Sequence, residues 1–342
     1  ITKAQANKPV EVFEGAADLD KTILVVGGGI SGLTAAFEAA ETGYDVVLVE
    51  KADALGGYAA KLFKSVPHSP PYRDLEDSPA AAKIEAVQGH DRITVHTGTT
   101  IAKIDGGPGR FDVELANGTA FKAGAIVQAT GFTPADPTQF EMFDYANNAD
   151  VITNDEFEAM CNNGGLKRPS NGEAPKAVAF VQCGDSRDAD KFSFASSIMS
   201  LNALKQAIVL READAEARAF VFYEHMKTPA QYEDFYRRAQ EDAGIFLTRG
   251  SVAAVAEGGG MMVLDVNDTM LGDQIQVEAD LVVLNAGMKP NSADGELIRR
   301  FVDFSKIKEE GPENAKYEDA VKVVDELADH EGTEILNLNY RQ

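Results

Sequence analysis

The sequence predicts an α/β protein of two dinucleotide-binding, Rossmann-type lobes, with the second lobe inserted in the first. Three observations predict it. A strand, a glycine turn, a helix and a second strand follow one another over residues 22–50. A further strand–helix–strand unit begins at Ala177. Two strands that run into glycine, 125–131 and 281–287, repeat one pattern on either side of that second unit. The expected organisation is an N-terminal arm over 1–20, a discontinuous first domain over 21–145 and 285–342, and an inserted domain over 146–284.

The first unit carries the strongest signal. Gly27, Gly29 and Gly32 have the G-x-G-x-x-G spacing. Gly27 permits the tight turn, Gly29 leaves room for a pyrophosphate against backbone, and Gly32 lets the helix pack closely on the strand. The helix N-terminus attracts phosphates with its unpaired N–H groups and positive dipole end. Glu50 ends the second strand, eighteen residues after Gly32, where an acid accepts hydrogen bonds from ribose hydroxyls. Strand, helix, second strand and acid stand in register, which is the context the motif requires.

Composition bounds the rest. The 342 residues suffice for a large core. Hydrophobic residues make up 44% and charged residues 25%, an ordinary globular mixture. No apolar run reaches the ~18 residues a membrane span needs. A formal charge of −23 argues against nucleic acid and anionic membrane surfaces as partners. The two cysteines, Cys161 and Cys183, allow neither a disulfide framework nor an all-cysteine metal site, and they suit a reducing cytoplasm. No signal peptide is visible, and a chain starting at Ile1 is expected to lack a short N-terminal piece.

Along the chain, residues 51–90 hold Gly56-Gly57 and the prolines Pro67, Pro70 and Pro71, which predict a loop. Short strands follow at 93–96 and 111–115, with Asn117-Gly118 as a turn. A buried strand at 177–182, a helix over about 192–209 and a strand at 219–223 form the second unit. Thr228-Pro229 predicts a helix start, running through Tyr232, Phe235, Tyr236 and Ala239. Residues 314–328 read as an amphipathic helix with Tyr317, Val321, Val324 and Leu327 on one face. The acidic stretch around 308–331 reads as a solvated helix face.

Three features favour FAD over NAD at the first site: the fingerprint near the N-terminus, the Leu55-Gly56-Gly57 turn after the Glu50 strand, and Ala129-Thr130-Gly131 closing a later strand. The last two resemble segments of two-lobed flavoproteins with the glutathione reductase-like fold. In the second lobe the corresponding turn, Gln182-Cys183-Gly184-Asp185-Ser186-Arg187, has one glycine and an acid that would repel a pyrophosphate. This predicts a degenerate NAD site. No Cys-x-x-x-x-Cys follows Gly56-Gly57, so a dithiol relay is not expected. Nor does an apolar-Ala-x-Gly-Asp segment follow Gly287; either such a tail lies outside this chain or FAD is held without it.

Several segments, in order, resemble the A-type flavoprotein subunit of heterodisulfide reductase: 56–64, 151–157, 180–187 and 235–239. The likeness spans about residues 22–292. It implies passage of electrons between FAD and iron–sulfur partner subunits. The family's cluster-binding run is replaced here, with Ala195, Met199 and Ser200 at cysteine places and Cys183 alone retained, and one thiolate cannot hold a cluster. FAD is therefore the expected redox group, with no metal. Such a reduced version resembles the A-type flavoprotein of the heterodisulfide reductase-like complex of sulfur-oxidising microbes, which implies work on a lipoate-binding sulfur carrier. A component of the quinone-interacting oxidoreductase of sulfate reducers is the near competitor. A stand-alone NAD(P)H:acceptor flavoreductase and a scaffold with structural FAD are the rivals, and a homodimer is an open assembly.

The expected cofactor-binding residues are Gly27, Gly29, Ile30, Ser31, Gly32, Glu50, Lys51, Gly56, Gly57, Tyr58, Lys64, Ala129, Thr130 and Gly131. Lys64 matches a family lysine near the flavin ring, where an ammonium could stabilise reduced, anionic flavin; the alternative is a surface lysine. Tyr58 packs on the flavin or in the core. Cys183 reads as a small buried residue before a redox thiol, and Met199 as filler. His68 and His96 have no ligand-spaced companions.

Overall fold

The computed structural model describes residues 19–183, 196–291 and 295–327. The predicted arm before Leu19, the Gly184–Arg187 part of the second glycine turn and the residues after Leu327 lie outside them. The chain divides into two compact units: Ile1–Leu55, Glu85–Ala129 and Ala293–Gln342 in one, Gly56–Ile84 and Thr130–Ser292 in the other.

The first unit is built on a parallel sheet. Strand β1 (Ile23–Val26) leads through the glycine turn into helix α1 (Ile30–Glu41), and β2 (Val46–Val49) follows. Leu33, Ala36 and Ala40, spaced three and four apart, are buried on α1. Helix α2 (Ala80–Gln88) lies across the division between the units and precedes β3 (Ile93–His96). An antiparallel sheet of β4 (Ile101–Gly107), β5 (Arg110–Leu115) and β6 (Ala120–Ala123) comes next, then β7 (Ala125–Gln128). The parallel order is β3-β2-β1-β7, which places β1 centrally and explains its apolar run, since both faces are covered. Val113 and Leu115, two apart on β5, join Leu24 and Val49 in one core. The Asn117-Gly118 turn forms as expected: Gly118 takes φ +84° and Asn117 Oδ1 accepts from Thr119 N at 3.0 Å.

The second unit holds a seven-stranded sheet. Its short β8 (Phe132–Pro134) stands apart in a ribbon, while β9 (Val151–Thr153) leads into helix α3 (Asn154–Asn162). Then come β10 (Ala177–Gln182), α4 (Ser196–Ala213), β11 (Arg218–Tyr223), α5 (Tyr232–Glu241), β12 (Ile245–Gly258), β13 (Met261–Asp268), β14 (Asp273–Ala279) and β15 (Leu281–Asn285). The sheet order is β14-β13-β12-β11-β10-β15-β9. Val178 and Phe180 enter the core shared with Phe157 of α3, Leu204 of α4 and Phe235 of α5. Ala179 and Val181 enter the opposite core with Phe140, Phe143 and Leu264. The strand period of two thus separates one apolar run into two faces. Strand β16 (Met288–Pro290) pairs antiparallel with β8. Helices α6 (Gly295–Glu310) and α7 (Tyr317–Glu326) return to the first unit, with Ala320 and Val323 buried on α7.

Three expectations change. The 51–90 stretch is not all loop: it contains a 3-10 turn, Gly57–Lys61, and α2. The α2 signal is Ser78-Pro79 before apolar residues at helical spacing, Ala80, Ile84 and Val87. Thr228-Pro229 does not start α5, because Ala230 adopts φ +54°, which interrupts a helix before Tyr232. Thr228 is instead buried and donates to Glu233 Oε1 at 2.6 Å. Helix α4 continues past 209 to Ala213, where Arg211 pairs with Asp242 at 2.9 Å.

Ahead of β9, Asp150 is 3% exposed and gathers the 168–170 turn. It accepts from Arg168 Nη2 at 2.7 Å, Ser170 Oγ at 2.6 Å and Ser170 N at 3.1 Å. Burial works against its charge, but the Ser170 and Arg168 hydrogen bonds outweigh it and hold the carboxyl below its ordinary value. Its contribution to stability is therefore complete above the unfolded value near 3.8 and is lost as pH falls through the lower folded value. Asp150→Asn should unfold at lower urea than the parent at pH 7, and the gap should close in denaturation curves taken below pH 3.

Candidate functional site

In the first unit the glycine turn, the α1 N-terminus and Glu50 meet at the carboxyl ends of β1 and β2. Gly27 takes φ +106° and donates to Val49 O at 2.8 Å. A Cβ on Gly32 would lie 1.8 Å from Gly27 O, a clash with backbone that no side-chain adjustment relieves. A Cβ on Gly29 would meet nothing within 4 Å, so open space lies in front of the helix end. No side chain caps α1, and no acid stands in its first turn. Ile30 and Ser31 form that turn, Ser31 exposed. An uncapped N-terminus facing open space leaves N–H donors free to receive an anion.

Glu50 is 9% exposed. Its Oε2 accepts from Gly28 N at 2.6 Å and its Oε1 from Ala52 N at 2.8 Å. Each carboxylate oxygen keeps a second lone pair for a ribose hydroxyl. Gly28, which the motif spacing leaves unassigned, is part of this construction: a Cβ there would sit 2.5 Å from Leu55 Cδ2. The signal for it was the third glycine of the Gly27-Gly28-Gly29 run. Lys51 is exposed beyond the acid. Ala129 N donates to Val26 O at 2.8 Å, extending the sheet by one residue past β7. Just before it, Gln128 has a buried Nε2 with no hydrogen-bond partner, a donor left for a ligand. The clear space at Gly29, the oriented acid and the orphaned Gln128 donor together fit a dinucleotide such as FAD.

The remaining predicted residues, Gly56, Gly57, Tyr58, Lys64, Thr130 and Gly131, belong to the second unit. Gly56 takes φ +107°, and a Cβ there would lie 2.6 Å from Ala60 Cβ. Tyr58 stacks obliquely on Phe132, ring centroids 4.9 Å apart. Its hydroxyl donates to Asp155 Oδ1 at 2.7 Å and accepts from Asn154 Nδ2 at 3.0 Å. Burial, then the Asp155 charge, pushes the Tyr58 phenol far up, so it stays protonated. Burial also raises Asp155. Lys64 Nζ pairs with Asp77 at 2.5 Å, with the lysine side chain 34% exposed. Asn291 organises Thr130 and Gly131: its Nδ2 donates to Thr130 O at 2.8 Å and its N to Gly131 O at 2.9 Å. Sequence spacing alone did not single out Asn291, although it closes the Met288-Lys-Pro-Asn291 run.

At the centre of the second sheet, β10 and β15 lie side by side and the strand order reverses, where α/β sheets place ligands. Gln182 and Asn285 are paired there. Asn285 is 1% exposed, yet neither atom of its amide has a partner, and Gln182 Nε2 has none. A crevice of about 290 Å³, mouth included, is lined by Tyr58, Phe132, Asn154, Met199 and Asn285 among others. Cys183 is 7% exposed, and burial pushes its thiol well up; burial also pushes Cys161 up to about 12. Neither thiol is a thiolate at neutral pH. Among the described residues no group of three His, Cys, Asp or Glu side chains is placed to hold a metal ion, and no helix is long and apolar enough to cross a membrane.

Residues 5–161 match the family model described as pyridine nucleotide-disulphide oxidoreductase. Among curated proteins, the chain is 27% identical to the second A-type iron–sulfur subunit of CoB–CoM heterodisulfide reductase of Methanopyrus kandleri, over 86% of this chain and 58% of that protein. It is 27% identical to the A-type iron–sulfur subunit of the same enzyme of Methanocaldococcus jannaschii, over the same shares. The chain thus spans little more than half the length of these relatives. Among solved structures, Lactococcus lactis thioredoxin reductase shares the fold, with TM-score 0.52, 15% identity, and coverage of 80% of this chain and 79% of that one.

Gly32→Ala should abolish flavin retention through its clash with Gly27 O, read as loss of the flavin absorbance relative to protein after gel filtration, while far-ultraviolet circular dichroism changes little. By fold the chain is of the two-dinucleotide-binding-domain class, and its residues 5–161 match an oxidoreductase domain whose glycine turn and acid fit FAD.

Proposed function

We propose that this chain is the electron-transfer component of a heterodisulfide reductase-like complex, carrying electrons between its FAD and iron–sulfur centres of partner subunits. The observation that carries this reading is the withdrawal of both cysteines. In a fold that serves disulfide chemistry, Cys183 is buried and Cys161 has its thiol pushed up to about 12. Neither offers a dithiol relay. In this reading electrons on the flavin pass to iron–sulfur centres outside these residues, which agrees with the names of the relatives, each one component of a reductase complex.

Bound FAD supplies the conversion between two-electron and one-electron transfer. The chain supplies the hold. The α1 N-terminus and the open space at Gly29 receive the pyrophosphate, with Ile30, Ser31 and Gly32 in the receiving turn. Glu50, fixed by Gly28 N and Ala52 N, receives the ribose; Lys51 follows it in the chain, and Ala129 lies by Gly32 in the receiving turn. Gly56, Gly57, Thr130 and Gly131 serve the flavin by backbone in this reading. Tyr58 offers it a neutral ring, and Lys64 an ammonium, held by Asp77 in this structure, for the place where reduction puts negative charge. The finer assignment is to the sulfur-oxidising version of the complex, in the cytoplasm. A thiol or sulfane sulfur on a lipoate-binding carrier would supply the electrons there.

A second reading, a stand-alone NAD(P)H:acceptor flavoreductase, is favoured by one observation: the unpartnered amide of Asn285 beside Gln182 at the switch point of the second sheet. Anaerobic stopped-flow mixing separates the two. The flavin should stay oxidised with NADH or NADPH and bleach when a reduced iron–sulfur partner protein is added. The chain alone should give no iron–sulfur electron paramagnetic resonance signal. Rapid bleaching by NADH would establish the flavoreductase instead.

A further inference from the structure

A fully buried ion pair lies in the second unit, and no step of the chemistry above uses it. Lys205 Nζ is 2.9 Å from Glu158 Oε1, with the two side chains 2% and 3% exposed. Gln206 Nε2 donates to the same oxygen at 2.8 Å and to Asn154 O at 2.9 Å. The sequence neighbours Phe157, Ala203 and Leu204 belong to the apolar core. Desolvation offsets most of the attraction in such a pair, so stability alone does not account for it, and fixing one arrangement is the better-attested use.

What the pair fixes is visible at the other carboxylate oxygen. Glu158 Oε2 accepts from Phe63 N at 2.9 Å, one residue before Lys64. Two more side chains of α3 reach the same segment. Asp155 Oδ1 accepts from the Tyr58 hydroxyl at 2.7 Å, and Asn162 Nδ2 donates to Lys61 O at 2.8 Å. Positions 155, 158 and 162 are three and four apart, one stripe of the helix. Beyond Lys64, Ser65 and Glu76 exchange backbone hydrogen bonds at 2.8 and 3.1 Å. Lys64 is therefore held on both sides, by Glu158 through Phe63 and by the Ser65–Glu76 bridge. A neutral acceptor would serve Phe63 less well, because hydrogen bonds to a carboxylate are about twice as strong as neutral ones. Lys205 and Gln206 keep that carboxylate aimed.

We propose that Glu158, backed by Lys205, is a positioning residue that sets Tyr58 and Lys64 in the arrangement from which they tune the flavin. This rests on the reading of Tyr58 and Lys64 as flavin-side residues. Two double variants of the flavin-loaded protein test it. Glu158→Met with Lys205→Met removes both charges and the tie to Phe63 while keeping volume. Glu158→Gln with Lys205→Met removes the charges but leaves an amide oxygen for Phe63. The readouts are amide hydrogen exchange over residues 58–64, followed by mass spectrometry, and the flavin midpoint potential.

The methionine pair should retain FAD, exchange at least tenfold faster over 58–64 and shift the potential; the glutamine variant should restore both towards the parent. Unchanged exchange in the methionine pair overturns the tie. Faster exchange with an unchanged potential overturns the tuning role and locates the failure in the flavin-side reading. Equal shifts in both variants overturn it in favour of charge loss alone. Should the methionine pair not fold, Glu158→Gln with Lys205→Met is read against the parent: a modest rise in exchange over 58–64 with a shifted potential is expected, and raised exchange with an unchanged potential overturns the proposal.

Discussion

The approach of helix α1 to the carbonyl of Gly27 is the constraint on which the first unit rests. With Gly32 at the contact, the helix starts directly over the end of β1, and its uncapped N–H groups face the space that Gly29 leaves open. The same closeness lets Gly28 N reach Glu50, so the acid is aimed before any ligand arrives. Three consecutive glycines thus do different work: one turns, one touches the acid and one stays clear. A carboxylate already fixed by two backbone donors loses little freedom when it takes a further hydrogen bond, and preorganisation of this kind favours binding.

The second unit solves a different problem. Its sheet is covered on both faces, yet a carboxylate, an ammonium and a carboxamide are buried beside one of its cores. Glu158 is matched there by three donors, while Gln206 keeps a buried Oε1 without a partner. The result ties a surface segment, 58–63, to the interior through one helix. A loop tied in this way keeps its side chains in place, where an ordinary surface loop would not. Asn291 does the same for Thr130 and Gly131 from the β16 side.

Much of this was legible in the sequence. The apolar runs at 23–26, 46–49, 125–128 and 177–182 announced buried parallel strands, and the glycine spacing with Glu50 announced the nucleotide turn, because both signals are local and periodic. The β12–β14 meander, α3 and α6 carried weaker patterns. Thr228-Pro229 misled, because a left-handed residue at Ala230 overrides a start signal that depends on continuous helical backbone.

The sequence by itself determined the fold class and the glycine turn between β1 and α1, since each follows from residue type and spacing within a few tens of residues. Only the tertiary structure decided which groups meet across long separations: Glu158 with Phe63 and Lys205, Tyr58 with Asp155, Gln182 beside Asn285. Burial made these contacts matter. A charge on the surface has water for a partner, whereas inside the core Glu158 takes Lys205, Gln206 and Phe63 N, and no local pattern records that choice.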